Sequence, residues 1–259
     1  MCTSRSNSYA KSTATRRPKG ENKRRRTHGI VLRKRNLEDL GPLYHSYHLF
    51  GVRNRQLPQF IVNQRVKEPI LLGYIALAFG KSRTSASENV SFAELFCADA
   101  YYTMLAASIG ASPAVGIDNN RDGWSKRTPE IARRLGLRVE FQQRDVNDLS
   151  ERDGYDIVAN IGGLYHVPNP LEILRKSWAM ARRYLIVQSV VSMAHENADY
   201  FESPAPGWSH GSRFSAGFLL EAVRAEGYRV VDQHFNILEG NSRIEDRGSV
   251  YVLIEKAGN

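Results

Sequence analysis

Apolar positions recur with two different periods along the chain. From about residue 37 to residue 81 they recur at helical spacing, first in LEDLGPLYHSYHLFG and then in PILLGYIALAFGK. From residue 90 onward, short apolar runs typical of buried strands alternate with segments of helical length. The pattern predicts a helical N-terminal extension over residues 36–89, which forms a cover, followed by an α/β domain over residues 90–259.

The elements predicted within residues 90–259 suggest one topology. The predicted strands are SFAELF, PAVGID, RVEFQQRDV, YDIVANI, RYLIVQSVVS, YRVVDQHFNIL and SVYVLIEKA. The predicted helices are YYTMLAASIG, WSKRTPEIARRLGL, PLEILRKSWAMA and SAGFLLEAVRAEG, with Pro129 close to the true start of the second. Helical crossovers join parallel strands, whereas the last two strands lack a helix between them and pair antiparallel. The predicted fold class is therefore α/β: Rossmann-like and doubly wound, with a mostly parallel seven-stranded sheet and an antiparallel last strand.

Charge separates the N-terminal tail from the rest of the chain. The 259 residues are 42% hydrophobic and 24% charged, which suits one large domain with small extensions. The net charge of +9 is concentrated in residues 1–35, which hold twelve Lys or Arg residues and one acid, Glu21. We predict that residues 1–35 are a disordered basic tail, because they contain too few large apolar residues to offset their ordering entropy. Two interpretations remain open: an arm that contacts nucleic acid, and a solvated leader without a partner.

The composition also limits the compartment and the chemistry. The longest apolar run, Pro69 to Gly80, is too short to span a bilayer, and no secretory signal is visible, so no membrane partner is expected. Cys2 and Cys97 are the only cysteines and are not expected to pair, which predicts a cytoplasmic location. The spacing of Cys and His residues indicates no metal site.

The loop after the first α/β strand carries the first indication of a cofactor. The strand order, together with FAELFCADA, resembles the class I S-adenosylmethionine-dependent methyltransferase family over about residues 90–256. That family reads acid-x-Gly-x-Gly-x-Gly here; Glu94 takes the acid position, and Phe96, Ala98 and Ala100 take the glycine positions. Alanine is small enough for a close approach but fits a positive φ poorly, and Phe96 either packs behind the loop or fills the pocket.

The resemblance implies further cofactor contacts at the ends of successive strands. Asp118 ends the second strand, where the family places an acid that binds both ribose hydroxyls; the alternative is a helix cap. Asp145 follows the third strand, where members of the family have an acidic residue that binds the adenine amino group. The alternative is that Asp145 is a turn residue. The predicted cofactor-binding residues are Glu94, Phe96, Cys97, Ala98, Asp99, Ala100, Tyr102, Asp118, Asn119, Asp145, Val146, Asn160, Ile161 and Gly162.

The segment YDIVANIGGLYHVPNP is the stretch most similar to the family. The resemblance implies that Tyr165 and His166 project towards the substrate, and we predict both as catalytic residues; the alternative for Tyr165 is a packing role. His166 is a candidate general base because imidazole titrates near neutral pH, although an imidazole that only orders the loop is equally compatible with the sequence.

Substrate recognition is predicted in the loop over residues 193–213 and beside the last strand. The predicted substrate-contacting residues are Tyr165, Tyr200, Trp208, His210, Arg213 and Arg247. The LYH motif is most similar to the tRNA wobble-uridine carboxymethyltransferase group, which holds the extra carboxylate of carboxy-S-adenosylmethionine with a Lys, a Tyr and a late Arg. Tyr165 and Arg247 match two of these residues, and the Lys is not identifiable in the sequence.

These features together predict an enzyme that transfers a methyl group by SN2 displacement from S-adenosylmethionine to an oxygen or nitrogen acceptor. The acceptor is a small molecule or RNA. One alternative is carboxymethyl transfer to the tRNA wobble uridine. Another is a non-catalytic RNA-binding module on the same fold, which the sequence FCADA in place of the glycine-rich loop would favour.

Overall fold

A computed structural model describes residues 36–83, 89–195 and 197–256 of the chain. The basic tail predicted over residues 1–35 lies outside the described residues, and its interpretation stays a prediction. The described residues form one compact unit. No helix among the described residues has the length and apolar character needed to cross a membrane.

The fold consists of a central sheet with helices on both faces. In chain order, its elements are β1 (Pro42–Leu43), β2 (Arg55–Gln56), α1 (Pro58–Ser82), β3 (Phe92–Leu95), α2 (Tyr101–Ser108), β4 (Ala114–Asp118), α3 (Thr128–Leu135), β5 (Glu140–Gln143), β6 (Tyr155–Ile161), α4 (Pro170–Met180), β7 (Ala181–Val191), β8 (Phe201–Glu202), β9 (Arg213–Phe214), α5 (Ala216–Ala225), β10 (Arg229–Ile237) and β11 (Gly248–Glu255).

Seven of these strands form one sheet in the order β10-β11-β7-β6-β3-β4-β5. All neighbouring strands are parallel except β11, which pairs antiparallel with both β10 and β7. The predicted doubly wound, mostly parallel seven-stranded sheet is confirmed. The strand order reverses between β3 and β6, and in such sheets a crevice opens beyond the carboxyl ends of the strands at that point.

Two apolar layers hold the helices against the sheet. Side chains of α1, α2 and α3 pack on one face, against strand residues such as Phe92 and Tyr251. Side chains of α4 and α5 pack on the other face, against strand residues such as Val158 and Val252. The parallel strands β3, β4, β6 and β7 are mostly buried, which explains their nearly continuous apolar runs, whereas the edge strand β5 is partly exposed.

The N-terminal extension differs from its prediction. The segment predicted as the first helix consists of short 3₁₀ turns, at Glu38–Leu40 and His48–Phe50, and of the short strands β1 and β2. Gly41 and Gly51 adopt left-handed φ values of 77° and 67°, which end each turn. One long helix, α1, follows and begins at Pro58, eleven residues before the apolar run from which it was predicted.

The loop from β3 into α2 adopts three left-handed residues without using a glycine. Phe96, Ala98 and Ala100 have φ values of 58°, 48° and 62°. Each such residue costs about 1 kcal/mol relative to a relaxed backbone, so the surrounding contacts must stabilise the loop. The family's glycine positions therefore keep a glycine-like backbone although their residue types differ.

A buried carboxyl group anchors the helix after this loop. Glu94 of β3 accepts hydrogen bonds from the backbone N–H and the hydroxyl of Thr103, at 2.7 and 2.6 Å. Burial nevertheless raises the pKa of Glu94 to about 8. Because the pKa in the folded state exceeds the unfolded-state value, the stability contributed by Glu94 is complete at low pH and is lost as the pH rises through 8.

The Phe96 ring, which follows β3, lies against the chain just after β6. It packs beside the apolar layer of α4 and α5, directly over the backbone of Gly163. A Cβ atom added to Gly163 would lie only 1.9 Å from the Phe96 ring. Glycine at position 163 is therefore required by the aromatic residue at position 96.

The buried Glu94 makes one pH-dependent prediction. We expect the wild type to lose thermal stability relative to Glu94→Gln as the pH rises from roughly 5 to 9, because the glutamine cannot ionise. Thermal unfolding across this pH range measures the difference. The exposed Glu140→Gln variant is the control and should follow the wild-type curve; parallel curves for Glu94→Gln and the wild type would contradict the prediction.

The contact between Phe96 and Gly163 makes a second prediction. We expect Gly163→Ala to lower the free energy of unfolding by about 1–3 kcal/mol through overpacking. Combining it with Phe96→Ala should recover part of the loss, since the clashing ring is removed. Urea unfolding measures both variants. Gly73→Ala is the control, because a Cβ there meets nothing within 4 Å, and it should not destabilise the protein; failure of the double variant to recover stability would refute this explanation.

Candidate active site

The predicted cofactor residues divide into those buried inside the loop and those at the crevice. Glu94, Cys97, Asp99 and Tyr102 are almost completely buried. Their side chains shape the loop and α2 from within and do not reach the crevice. Asp99 accepts hydrogen bonds from the backbone N–H and the imidazole Nδ1 of His45, at 3.0 and 2.6 Å.

Asp118 lies where the resemblance places a ribose-binding acid, at the end of β4. One of its oxygens accepts a hydrogen bond from the backbone N–H of Ala98 at 3.1 Å, and the other accepts one from the N–H of Asn120 at 2.6 Å. Burial raises the pKa of Asp118 above its ordinary value. Each oxygen retains acceptor capacity, so the carboxylate both holds the loop and is able to bind a ligand hydroxyl. The neighbouring Asn119 is exposed.

Asp145 and Val146 lie at the end of the adjacent strand, β5. One oxygen of Asp145 accepts hydrogen bonds from the backbone N–H and the side-chain amide of Asn147, at 2.9 and 2.7 Å, and so caps a short 3₁₀ turn. Val146 is buried in the apolar layer that also contains Leu164. Asp145 therefore acts as a turn residue in this structure, with its second oxygen still available.

The end of β6 presents its backbone to the crevice. The side chain of Asn160 points away from the crevice and donates to the hydroxyl of Ser177 on α4 at 3.0 Å. Ile161 belongs to the apolar layer on the opposite face of the sheet. Gly162 has a left-handed φ of 72°, and its N–H donates to the carbonyl of Gln188 at 2.9 Å. Of these three predicted residues, only Gly162 turns the chain at the edge of the sheet.

A cavity of about 310 Å³ brings five predicted residues together. It is lined by Tyr165, His166, Val190, Trp208, His210, Arg213, Gly240, Asn241, Ser242, Arg243 and Asp246. Both predicted catalytic residues, Tyr165 and His166, are in this set, and so are four of the six predicted substrate residues, counting Tyr165 in both groups. Its volume is at the lower end of the range for small-molecule sites.

Arg213 organises the wall of this cavity. The guanidinium donates to the carboxylate of Asp246 and to the carbonyl oxygens of Ser212 and Tyr165, the latter two at 2.7 and 3.3 Å. It also lies over the Tyr165 ring, 5.4 Å from the ring centre. These contacts bind the substrate loop to the segment that carries Tyr165 and His166.

Tyr165 and His166 are uncharged near neutral pH. Burial raises the pKa of the Tyr165 hydroxyl to about 12. Desolvation at the cavity wall and the positive charge of Arg213 lower the pKa of His166 to about 4. The ring of His166 packs against that of Tyr165, with centres 4.1 Å apart, and its side chain remains open to solvent at the cavity mouth.

Two predicted substrate residues, Tyr200 and Arg247, do not line this cavity, nor do they line the second cavity described below. Tyr200 stacks on His195, with ring centres 3.9 Å apart, and its hydroxyl donates to Glu202 at 3.2 Å. Arg247 immediately precedes β11, and its buried Nε atom has no hydrogen-bond partner among the described residues.

A second cavity, of about 140 Å³, adjoins the first. It is lined by Tyr44, His45, Gln56, Gln59, Phe60, Asn63, Gln64, Lys67, Tyr165, Val190, Leu238 and Asn241. Tyr165, Val190 and Asn241 belong to both cavities, so the two are neighbours along one crevice. Most of its wall comes from residues 44–67, which the sequence analysis did not assign to the site. The cluster of aromatic and His residues in LYHSYH is the sequence signal that could have placed this segment at the site, although its apolar spacing predicts a helix.

The chain was compared with known proteins. Residues 86–217, about half of the 259 residues, match the model of a family described as methyltransferase domain. No curated protein sequence matches.

Solved structures show the same fold at low sequence identity. The N-terminal domain of EvdMO1, crystallised with SAH and D-fucose, is 17% identical and superposes with a TM-score of 0.57, covering 85% of this chain and 93% of that one. Magnesium protoporphyrin IX methyltransferase (ChlM) from Synechocystis PCC 6803, with bound SAM, is 14% identical with a TM-score of 0.54, covering 78% and 86%. The [4+2]-cyclase SpnF is 18% identical with a TM-score of 0.54, covering 73% and 81%.

At these identities the structures establish the fold, and the family match establishes the class. The predicted narrower kinship with the tRNA wobble-uridine group is not confirmed by either. The chain belongs to the methyltransferase domain family, and the prediction of an S-adenosylmethionine-dependent methyltransferase is confirmed at that level.

Proposed function

We propose that the protein transfers a methyl group from S-adenosylmethionine to an oxygen or nitrogen atom of a small molecule bound in the two adjoining cavities. The observation that carries the proposal is the position of the smaller cavity. His45 lines that cavity and is hydrogen-bonded to Asp99, a residue of the β3–α2 loop that would hold the cofactor. An acceptor there would lie close to the donor.

The crevice has the groups that the cofactor requires. The loop over residues 96–100 has the left-handed backbone that a glycine-rich loop would supply. Asp118 has free acceptor capacity for ribose hydroxyls at the adjacent strand end, and Asp145 with Val146 would border the adenine. Phe96 differs from the small residue that the family has at this position. Its ring lies over Gly163 and would narrow the crevice on the β6 side. The cofactor would therefore lie towards β4, beside Asp118.

The protein's own residues would align the acceptor and exclude water. S-adenosylmethionine supplies a methyl group already activated by the positive charge on its sulfur. Tyr165 and Trp208 provide apolar ring surfaces in the crevice, and Arg213 holds the Tyr165 segment in place. His166 is uncharged at neutral pH and able to accept a proton, but its low pKa makes it a weak base.

The cavities favour a small molecule over RNA as the acceptor. The larger cavity has the volume of a small metabolite site and the smaller one adjoins it, and single aromatic and polar side chains line both. The basic residues that would attract RNA are concentrated in residues 1–35, outside the described part of the chain. A nucleic-acid contact by that tail remains a separate prediction.

One observation favours carboxymethyl transfer as a second candidate. The lysine that the sequence did not reveal has a candidate in Lys67 of α1, which lines the smaller cavity together with Tyr165. Burial lowers the pKa of Lys67 to about 8, so its ammonium group would be stabilised by an anionic ligand. Arg247, the other predicted partner of the extra carboxylate, does not line either cavity.

Two measurements test the proposed donor. Mass spectrometry identifies small molecules that copurify with the protein, and calorimetric titration measures the binding of S-adenosylmethionine. We expect saturable binding and release of S-adenosylhomocysteine when a small-metabolite mixture is added. Absence of binding at high cofactor concentration would leave a non-catalytic scaffold.

Asp118 allows a sharper test of the cofactor position. Asp118→Asn should weaken S-adenosylmethionine binding by roughly tenfold or more, because hydrogen bonds to a charged acceptor are lost. Calorimetry measures the affinity, and thermal unfolding checks that the loop remains folded. Asp122→Asn, an exposed neighbour, should bind like the wild type. An unchanged affinity of Asp118→Asn would exclude the assigned ribose contact.

Lys67 separates the two donors. If carboxy-S-adenosylmethionine is used, Lys67→Met should weaken its binding by roughly tenfold or more and leave S-adenosylmethionine binding unchanged, since only the former has a carboxylate for the ammonium group. Parallel titrations with both donors measure the difference, and the exposed Lys126→Met is the control. Equal affinities of Lys67→Met and the wild type for the carboxylated donor would eliminate the second candidate.

A further inference from the structure

His45 and Asp99 form a buried histidine–carboxylate pair. The imidazole Nδ1 lies 2.6 Å from one oxygen of Asp99, and the backbone N–H of His45 donates to the other oxygen at 3.0 Å. Asp99 is 0% exposed. A carboxylate accepts hydrogen bonds only, so an uncharged His45 must carry its proton on Nδ1 and leave the Nε2 lone pair free.

Aromatic neighbours hold the imidazole in one orientation. Tyr101 stacks on it with ring centres 5.0 Å apart and an angle of 19° between the planes. Tyr44 and Tyr102 meet it edge-on, at 4.8 and 5.5 Å. Among the residues that the structure describes, the Nε2 atom has no hydrogen-bond partner.

His45 is the member of this pair that lines the smaller cavity, whereas Asp99 does not. Because Nδ1 is hydrogen-bonded to Asp99, Nε2 is the ring nitrogen left for a ligand bound in that cavity. Tyr165 and Lys67 line the same cavity, and Lys67 is the one Lys, Arg, Asp or Glu among the described residues that line it.

His45 is better arranged for proton transfer than His166. Its carboxylate partner sets the tautomer and would neutralise the imidazolium formed on protonation. His166 lies at the mouth of the larger cavity beside Arg213, whose charge opposes protonation. Asp99 also belongs to the loop of the cofactor site, so His45 is one hydrogen bond from that loop.

We propose that Nε2 of His45 is the general base of the reaction and that Asp99 is its positioning residue. The inference rests on the proposed function. The O–H or N–H proton of the acceptor passes to Nε2, and the acceptor's lone pair forms a bond to the methyl carbon. The carbon–sulfur bond breaks with its electron pair remaining on sulfur, which gives S-adenosylhomocysteine and a His45 imidazolium beside Asp99.

Two measurements on the S-adenosylhomocysteine-saturated protein test the assignment without a known acceptor. Nitrogen NMR of the uncharged form of the His45 ring should show a proton on Nδ1 and an unprotonated Nε2. Methyl 4-nitrobenzenesulfonate should methylate His45 at Nε2, as read by peptide mass spectrometry. Asp99→Asn should slow this methylation by on the order of tenfold, because the asparagine amide favours the other tautomer.

Controls keep the result interpretable. His210, which is exposed, reports on the reagent, and His166→Gln should leave the labelling of His45 unchanged. If Asp99→Asn does not fold, the wild-type tautomer still decides the question. A proton on Nε2 in the uncharged ring, or an inert His45 while His210 is methylated, would overturn the proposal.

Turnover completes the test. With any acceptor in the metabolite mixture that yields S-adenosylhomocysteine, His45→Gln should lower kcat by about 100-fold or more and leave S-adenosylmethionine affinity unchanged. His234→Gln, at an exposed position of β10 that lines neither cavity, is the control and should stay within about threefold of the wild type. Near-wild-type turnover by His45→Gln would overturn the assignment of the general base and leave the proposed function standing. Failure of the wild type to bind the cofactor would refute the proposed function itself.

Discussion

The left-handed backbone of residues 96–100 is the constraint on which the rest of the site depends. Three non-glycine residues adopt positive φ there, and each is intrinsically unfavourable. Side chains from three parts of the chain stabilise the loop and the helix that follows it. Asp118 binds its backbone from the next strand, Glu94 binds Thr103 at the start of α2, and His45 binds Asp99 from the N-terminal extension. The shape that glycine would permit locally is maintained here by tertiary hydrogen bonds.

The N-terminal extension is part of the site and more than a cover. Its irregular segment, residues 36–57, uses amide side chains in place of regular backbone hydrogen bonds. Asn54 donates to the carbonyl of His45 and accepts from the N–H of Tyr47, both at 2.8 Å, and Gln64 of α1 binds both backbone groups of Ser46. This network presents His45 to the loop and closes the smaller cavity. One set of buried contacts thereby links the cofactor loop, His45 as the proposed base, and the smaller cavity that would hold the acceptor.

The aromatic residue in the loop packs against a glycine that follows the neighbouring strand, β6. Phe96 occupies space above Gly163, where any side chain would clash. The crevice is thus narrowed beside β6 and bordered by Asp118 beside β4. The SpnF cyclase has the same fold, so the fold alone does not specify the reaction. The chemistry of this chain must be sought in Tyr165, His45 and their neighbours.

The sequence by itself determined the alternation of strands and helices, the mostly parallel sheet and the antiparallel last strand, because these follow from apolar period and connection length. It also predicted Asp118, Tyr165 and Arg213 as site residues, whereas the order of the strands in the sheet comes from the tertiary structure. Only the tertiary structure decided that Asn160 points into the helix layer, that Tyr200 lies outside the cavities, and that His45 pairs with Asp99 across 54 positions. Side-chain direction and contacts between distant segments depend on packing, which local periodicity does not encode.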